Sequence, residues 1–265
     1  MTDRSERHIT SSDNPHFKAL LKLHQSSRER RRAGLSLLDG VHLVAAYLEQ
    51  VGAPEQIVVS RSHLADREIA ALLASPLAGQ PLLLSDGLFR ELSSVATPTG
   101  LIAVVRTPLA KASPDDTGEC VMLESIQDPG NLGSILRSAA AADIHAVYLS
   151  RGSVHAWSPR VLRAGMGAHF TVQIHEDVDL LALITSFSGR VLAAAGDGAT
   201  PVYRADLRGR VALLFGNEGA GLSASLRAAA HACISIPMPG KAESLNVAAA
   251  AAVCLFERVR QMGEQ

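Results

Sequence analysis

Aromatic residues make up only 4% of the 265-residue chain, and tryptophan occurs once. A core built from this sequence cannot depend on large rings. It has to be filled by the aliphatic and small side chains that bring the hydrophobic share to 47%. Cysteine is nearly as scarce. Cys120, Cys233 and Cys254 are odd in number, form no CxxC pair and each sit in an apolar run. That favours buried free thiols in a reducing cytoplasm over disulfides or a zinc site. The opening residues MTDRSERHIT carry no apolar leader core, and no stretch free of charge and glycine approaches bilayer length, so neither export nor membrane insertion is expected. Familiar signatures are missing too. Around Gly240-Lys241 the earlier glycine of a phosphate-binding loop is replaced by Ser235, and Ala242 follows the lysine. No GxGxxG follows the first strand of the second half, no His pair or His/Asp cluster has metal-ligand spacing, and no GxSxG elbow occurs. No metal is expected.

Net charge of either sign is also lacking: the formal value is -1. Its distribution is uneven. Residues 1–32 hold eight basic side chains (Arg4, Arg7, Lys18, Lys22, Arg28, Arg30, Arg31, Arg32) against four acids, a local charge of +4, which leaves the remainder at -5. A basic arm on a slightly acidic body suggests contact with a polyanion, with a solvated helix face as the equal alternative. Pro, Ser, Asp and Gly in RTPLAKASPDDTGE interrupt the periodic patterns on both sides, which predicts domains at 1–106 and 119–265 joined by a linker at 107–118.

Both halves read as α/β. Before the linker, NPHFKALLKLHQSSRERRRAG is predicted helical, and short strands and helices then alternate up to LIAVV, implying a small domain with helices covering a sheet. After it come CVMLESI, AVYLS, FTVQI, RVLAAA, VALLF and CISIP. These are continuous apolar runs, as expected of strands buried on both faces of a parallel sheet. Helices are predicted at Asn131–Ala142, Asp179–Phe187, Ser223–Ala230 and Ser244–Gln261.

In an open parallel sheet, ligands bind beyond the carboxyl ends of the strands. Four strands of the second half end in glycine-bearing loops: QDPGNLGS, AGDGAT, FGNEGAGLS and PMPGKAES. AGDGAT alone reads as an ordinary turn; the set together reads as a ligand-binding edge. Asn131, Arg137, Glu218, Ser244 and Asn246 are polar residues in otherwise apolar surroundings there. Asn131 and Ser244 could instead be helix caps and Glu218 a turn carboxylate. Arg137, between Ile135-Leu136 and a run of alanines, is harder to assign to structure alone.

Three blocks, NLGSILR, LLFGNEGAGLS and ISIPMPGKAESLNVAAAAAV, resemble in order and loop position the three signature motifs of the SpoU (TrmH) family of RNA ribose 2′-O-methyltransferases, within the SPOUT superfamily. That resemblance covers roughly residues 120–260. Residues 8–105 resemble, more loosely, the ribosomal-protein-L30e-like substrate-binding domain of the rRNA-modifying branch. The resemblance implies a parallel sheet with a deep trefoil knot, a cytoplasmic homodimer, bound S-adenosylmethionine and an RNA substrate, most naturally 23S-type rRNA. A tRNA methyltransferase and a catalytically silent RNA-binding or ribosome-assembly protein are the alternatives. Carried over by motif, the cofactor would meet Gly196, Leu214, Phe215, Gly216, Asn217, Ile236, Met238 and Leu245. The catalytic set would be Asn131, Arg137, Glu218, Ser244 and Asn246; the basic arm, read from its charge alone, offers Arg28, Arg30, Arg31 and Arg32 as RNA-binding arginines. The family arginine matching Arg137 is proposed to activate the ribose hydroxyl; because a guanidinium with a pKa above about 12 hardly deprotonates, electrostatic orientation is the expected role. Two departures stand out: Asn246-Val247-Ala248 where many relatives read Asn-Val-Ser, and Asp39-Gly40 where Glu-Gly is common.

Overall fold

A computed structural model of the protein describes residues 8–110 and 118–263. Arg4 and Arg7 of the basic arm, and most of the expected linker, lie outside the described residues. The chain divides into two compact units, one of Met1–Pro108 with Trp157–Phe170 and the other of Leu109–Ala156 with Thr171–Gln265.

The first unit contains β1 (His8–Ile9), α1 (Pro15–Gln25), α2 (Ser27–Ala33), β2 (Leu35–Asp39), α3 (Val41–Gln50), β3 (Gln56–Ser60), α4 (Arg67–Leu73), β4 (Leu82–Leu84), α5 (Asp86–Leu92) and β5 (Leu101–Arg106). The sheet order is β1-β4-β3-β5-β2. The first three strands are parallel, and β5 runs antiparallel to both β3 and β2. Asn14 starts α1 by accepting from the His16 and Phe17 N–H groups, with Pro15 in the first turn where no donor is needed. The single helical stretch predicted after it is two helices. Ser26 is extended (φ -124°, ψ 115°) and its hydroxyl accepts from Glu29 N–H, so the serine starts a new helix instead of continuing the old one. Phe17 and Leu20 then pack into a core with Leu37, Val58, Leu84, Phe89 and Ile102.

The second unit contains β6 (Cys120–Leu123), α6 (Pro129–Ala141), β7 (Ala146–Ser150), β8 (Gln173–Val178), α8 (Leu180–Ser186), β9 (Arg190–Ala194), β10 (Thr200–Pro201), β11 (Val211–Phe215), α9 (Ala224–Ala229), β12 (Ala232–Ser235) and α10 (Val247–Gly263). The helix α7 (Pro159–Gly165) lies between β7 and β8 in sequence but clusters with the first unit. Every strand pairing in the second sheet is parallel, in the order β10-β12-β9-β11-β6-β7-β8. Alternate residues face opposite sides. Met122, Tyr148, Val191, Ala193, Ala212 and Leu214 point to the face closed by α8 and α9. Val121, Leu123, Leu213 and Phe215 point to the other, where α6 and α10 pack together. The continuous apolar runs are thus explained by burial on both faces. FTVQI becomes strand only at Gln173, because Ala168–Phe170 close a 3-10 turn first.

α10 is held at its far end. Arg258, itself buried, hydrogen-bonds and ion-pairs with Glu119 at the start of β6. Gln261 donates to the Ala205 carbonyl at 3.0 Å and accepts from Leu207 N–H at 2.9 Å. Cys120 and Cys254 are buried, and burial pushes both thiols up to about 12, so they are inert at neutral pH; Cys233 is half-buried. Among the described residues no helix is long and apolar enough to cross a membrane, and no group of three His, Cys, Asp or Glu side chains is placed to hold a metal ion.

Candidate active site

β6 and β11 are neighbours at the centre of the second sheet. From β6 the chain proceeds outward to β7 and β8, whereas from β11 it proceeds past β9 to β12. The carboxyl ends of these two strands therefore open into the crevice where the strand order reverses, the usual place for a ligand in such a sheet. A polar lock fills one wall of it. Glu218, three residues past β11, accepts from Gln127 N–H at 3.2 Å, Asp128 N–H at 3.1 Å and Asn131 Nδ2 at 3.1 Å. Asn131 in turn accepts from Asn246 Nδ2 at 2.8 Å. Asn217 donates to the Ser125 carbonyl at 2.8 Å and accepts from Gly219 and Ala220 N–H at 2.9 Å, folding its own loop back on itself. Partial burial on its own would raise the Glu218 carboxyl, but the N–H groups of Asp128 and Gln127 and the Asn131 amide outweigh it and hold the pKa below the usual carboxylate value. Asn131, Glu218 and Asn246, named from three separate blocks, are thus one connected network.

The capping roles fall to other residues than expected. Asp128, not Asn131, caps α6, accepting from Asn131 N–H at 2.8 Å with Pro129 just inside the helix. Asn246, not Ser244, caps α10, its Oδ1 accepting from Ala248 and Ala249 N–H, and the helix predicted from Ser244 begins at Val247. Asp128 was missed as a site residue, although an Asp-Pro pair entering a helix is a readable cap signal. Ser125 was missed as well. It holds φ +52°, uncommon for a non-glycine residue, in the segment between β6 and the lock.

Arg137 and Ser244 do not join the network. Both are exposed, and among the described residues Arg137 makes no ion pair. Arg137 lies six residues beyond Asn131 on α6, ~9 Å further along the axis and about 120° around it, so the two side chains leave the helix in different directions.

The expected cofactor residues come from β9, β11 and β12, which are adjacent in the order β12-β9-β11, so their loops emerge side by side. Leu214, Phe215 and Gly216 are buried, Asn217, Ile236 and Met238 are half-buried, and Gly196 and Leu245 are exposed. Two glycines set the backbone there. A Cβ on Gly216 would lie 2.3 Å from Gly221, and one on Gly198 would lie 2.4 Å from the Ile234 carbonyl carbon, so neither loop could close with a side chain. At Gly196, by contrast, a Cβ would meet nothing within 4 Å, leaving bare backbone facing open space. Backbone donors and acceptors beside uncovered apolar side chains fit a heterocycle carrying a short polar tail.

Of the expected RNA-binding arginines, Arg30 is engaged elsewhere. It is 5% exposed, and its Nη1 donates to the Leu23 and His24 carbonyls at 2.6 and 2.9 Å, closing the end of α1. Burial, and then the neighbouring Arg31, lower its pKa. A lone arginine inside an RERRR run carries no sequence mark of this. Arg28, Arg31 and Arg32 are exposed, Arg32 pairing with Glu29 at 2.7 Å. Neutralising these three is expected to weaken RNA binding and to flatten its dependence on salt, by roughly one unit of log–log slope for each phosphate that no longer meets a cation. Arg30→Ala is instead expected to lower thermal stability by about 1–3 kcal/mol, because two carbonyls lose a charged donor. An unchanged salt slope in the triple variant would reduce the cluster to a solvated face.

Fold and site together define a two-unit α/β protein whose parallel sheet carries a polar lock and an open, glycine-lined crevice at its switch point. Residues 119–256 match the SpoU rRNA Methylase family, and residues 14–103 match the MRM3-like substrate binding domain. The chain belongs to the SpoU rRNA Methylase family. It is 30% identical over 253 residues to the 23S rRNA (guanosine(2553)-2'-O)-methyltransferase RlmP of Bacillus subtilis, spanning 94% of this chain and 98% of that protein. A solved RNA 2'-O ribose methyltransferase superimposes with TM-score 0.83 at 32% identity, covering 96% of this chain and 99% of that one. AviRb from Streptomyces viridochromogenes, solved in complex with AdoMet, superimposes with TM-score 0.82 at 25% identity, covering 95% of this chain and 100% of that one.

Proposed function

We propose that this protein transfers a methyl group from S-adenosylmethionine to the 2′-hydroxyl of a ribose in ribosomal RNA, of the 23S type, in the cytoplasm. The observation that carries the reading is coverage: likeness to a 23S rRNA 2′-O-methyltransferase runs through both units, including the residues that match a substrate-binding domain. The tRNA methyltransferase alternative leaves the match of the first unit to a substrate-binding domain unexplained. The connected network of Asn131, Glu218 and Asn246 argues against a catalytically silent scaffold.

S-adenosylmethionine supplies an electrophilic methyl on a sulfonium, and it would be held by the loops after β9, β11 and β12. Gly196 and Leu214 to Asn217 would offer backbone to it, and Ile236, Met238 and Leu245 would supply apolar cover. In-line displacement depends above all on positioning. Glu218 and Asn131 fix the entry of α6 against the β11 loop, and Asn246 fixes the entry of α10 to both. Ser244, two residues before that cap, adds a hydroxyl at the mouth of the site. Arg137 orients the ribose hydroxyl and an adjacent phosphate by its charge while the proton leaves to solvent. Its exposure and its direction away from Asn131 fit a site completed across a homodimer, in which the arginine serves the other subunit. The same reading includes the deep trefoil knot of the family in the second unit.

Incubation with radiolabelled S-adenosylmethionine and unmodified rRNA or tRNA, followed by nucleoside chromatography, tests the proposal. Label is expected in a 2′-O-methyl nucleoside from rRNA; label only from tRNA, or none despite cofactor binding, overturns it. For the dimer, Phe256, Val259 and Met262 form an exposed apolar stripe along α10, 49%, 38% and 37% accessible. Phe256→Asp is expected to shift the sedimentation coefficient from dimer to monomer and to abolish transfer. A fully active monomer would refute the shared site.

A further inference from the structure

The first unit encloses a cavity of about 440 Å³ that none of the chemistry above uses. We propose that it receives one unpaired nucleotide of the RNA, base inward and phosphate at the rim, with preference for a base that presents an N–H edge. The proposal rests on the RNA reading above and names where that RNA is read.

The volume lies within the ~300–1,000 Å³ typical of small-ligand sites. Val41 and Leu43 from the start of α3, Ile69 from α4 and Met166 from the end of α7 form its apolar walls. Met166 is placed there by an unusual backbone. It ends α7 in the left-handed region at φ +48° and is 54% exposed. The next residue, Gly167, has φ +93°, and a Cβ on it would already touch Ala46 of α3 at 3.4 Å. A thioether over an open apolar cavity is a good face for a planar ring.

The charged groups around these walls are uncommitted. Asp66 stands at the cap position of α4, yet its side chain makes no capping bond. Gly40, the cap of α3, has no side chain to offer. Asp39, by contrast, is held: its Oδ2 accepts from the Ser93 hydroxyl and from the Ser94 N–H and hydroxyl. Among the described residues Asp66, Glu68, Arg67 and Arg163 make no ion pair. The cavity therefore offers acceptor carboxylates and donor guanidinium groups around a hydrophobic slot. A ligand matching all three has a flat ring, an N–H edge and an anion, which describes a nucleotide with its base unstacked. Carboxylates only accept hydrogen bonds, so guanine, whose ring and amino N–H groups lie side by side, suits Asp66 and Glu68 best, and uracil suits them least.

The test uses the whole protein and the four nucleoside 5′-monophosphates in equilibrium dialysis, with Val41→Trp to fill the cavity and Glu68→Gln, an exposed substitution, to remove one acceptor. Wild type is expected to bind GMP with a dissociation constant on the order of 1 mM or tighter and UMP at least about tenfold more weakly. Val41→Trp should abolish GMP binding, and Glu68→Gln should weaken it about tenfold. Both variants should raise the KM for rRNA while kcat and S-adenosylmethionine affinity stay at wild-type values. Absence of nucleotide binding, equal binding of all four, or GMP affinity unchanged in Glu68→Gln overturns the proposal. The two readings separate cleanly. A protein that methylates rRNA but binds no mononucleotide refutes the pocket alone; one that binds GMP selectively but transfers no methyl refutes the catalytic assignment alone.

Discussion

Arg137→Ala is expected to reduce methyl transfer by on the order of 10²–10³-fold while S-adenosylmethionine binding stays within a factor of two or so of wild type. The magnitude is that of removing one fixed charge or donor from a reacting centre. The selectivity follows from position. Arg137 is exposed on α6, and among the described residues it makes no ion pair. Its loss should leave folding untouched and appear in kcat. Arg137→Lys is a sharper probe, because a lysine keeps the charge but not the planar fork that can engage a phosphate and a hydroxyl together. Partial activity in the lysine variant would support electrostatic orientation. Loss of cofactor binding in the alanine variant would show that Arg137 belongs to the cofactor loops instead.

The second large effect is expected at Glu218. Its two oxygens accept from two backbone N–H groups and the Asn131 amide. Glu218→Gln therefore turns an amide NH₂ toward donors on at least one side, and the loops after β6 and β11 must move apart. A displacement of ~1 Å at such a site costs about 100-fold in rate, and that loss in kcat is the expected result. The pH dependence has a definite sign. Because the folded carboxyl is depressed, the network is intact above the ordinary carboxylate range and is lost only as pH falls through the lowered value. Wild-type activity should hold through mildly acidic pH, and the Gln variant should be low throughout. A Gln variant with wild-type kcat would mean that the network is scaffolding only.

Much of this architecture was legible in the chain because burial writes itself into sequence. CVML, AVYLS and VALLF carry no polar alternation, and each is a strand covered on both faces. Breaks without glycine or proline were not legible. Ser26 splits one helix into two with a single hydroxyl, and the two-residue strand β10 is too short to show a period. At the site, residue types pointed to the right loops, but spacing could not join Asn131 to Glu218 or Asn246. That connection came from the family blocks, and the structure supplies its distances. Arg30 shows the reverse error: its charge suggested solvent or RNA, while its carbonyl partners hold it in the interior.

The network also dictates an order of assembly. Its links span 87 and 115 residues, and the last member, Asn246, is also the cap that starts α10. During synthesis, β6 to β12 can pair as they emerge, yet the lock is not complete until α10 begins to form. A nascent chain halted before residue 246 would hold most of its sheet and the Glu218–Asn131 link, but not the Asn246 bond that ties α10 to them. Until Asn246 is in place that link of the lock stays open, and slow exchange of the Ala248 and Ala249 amides would mark its closure.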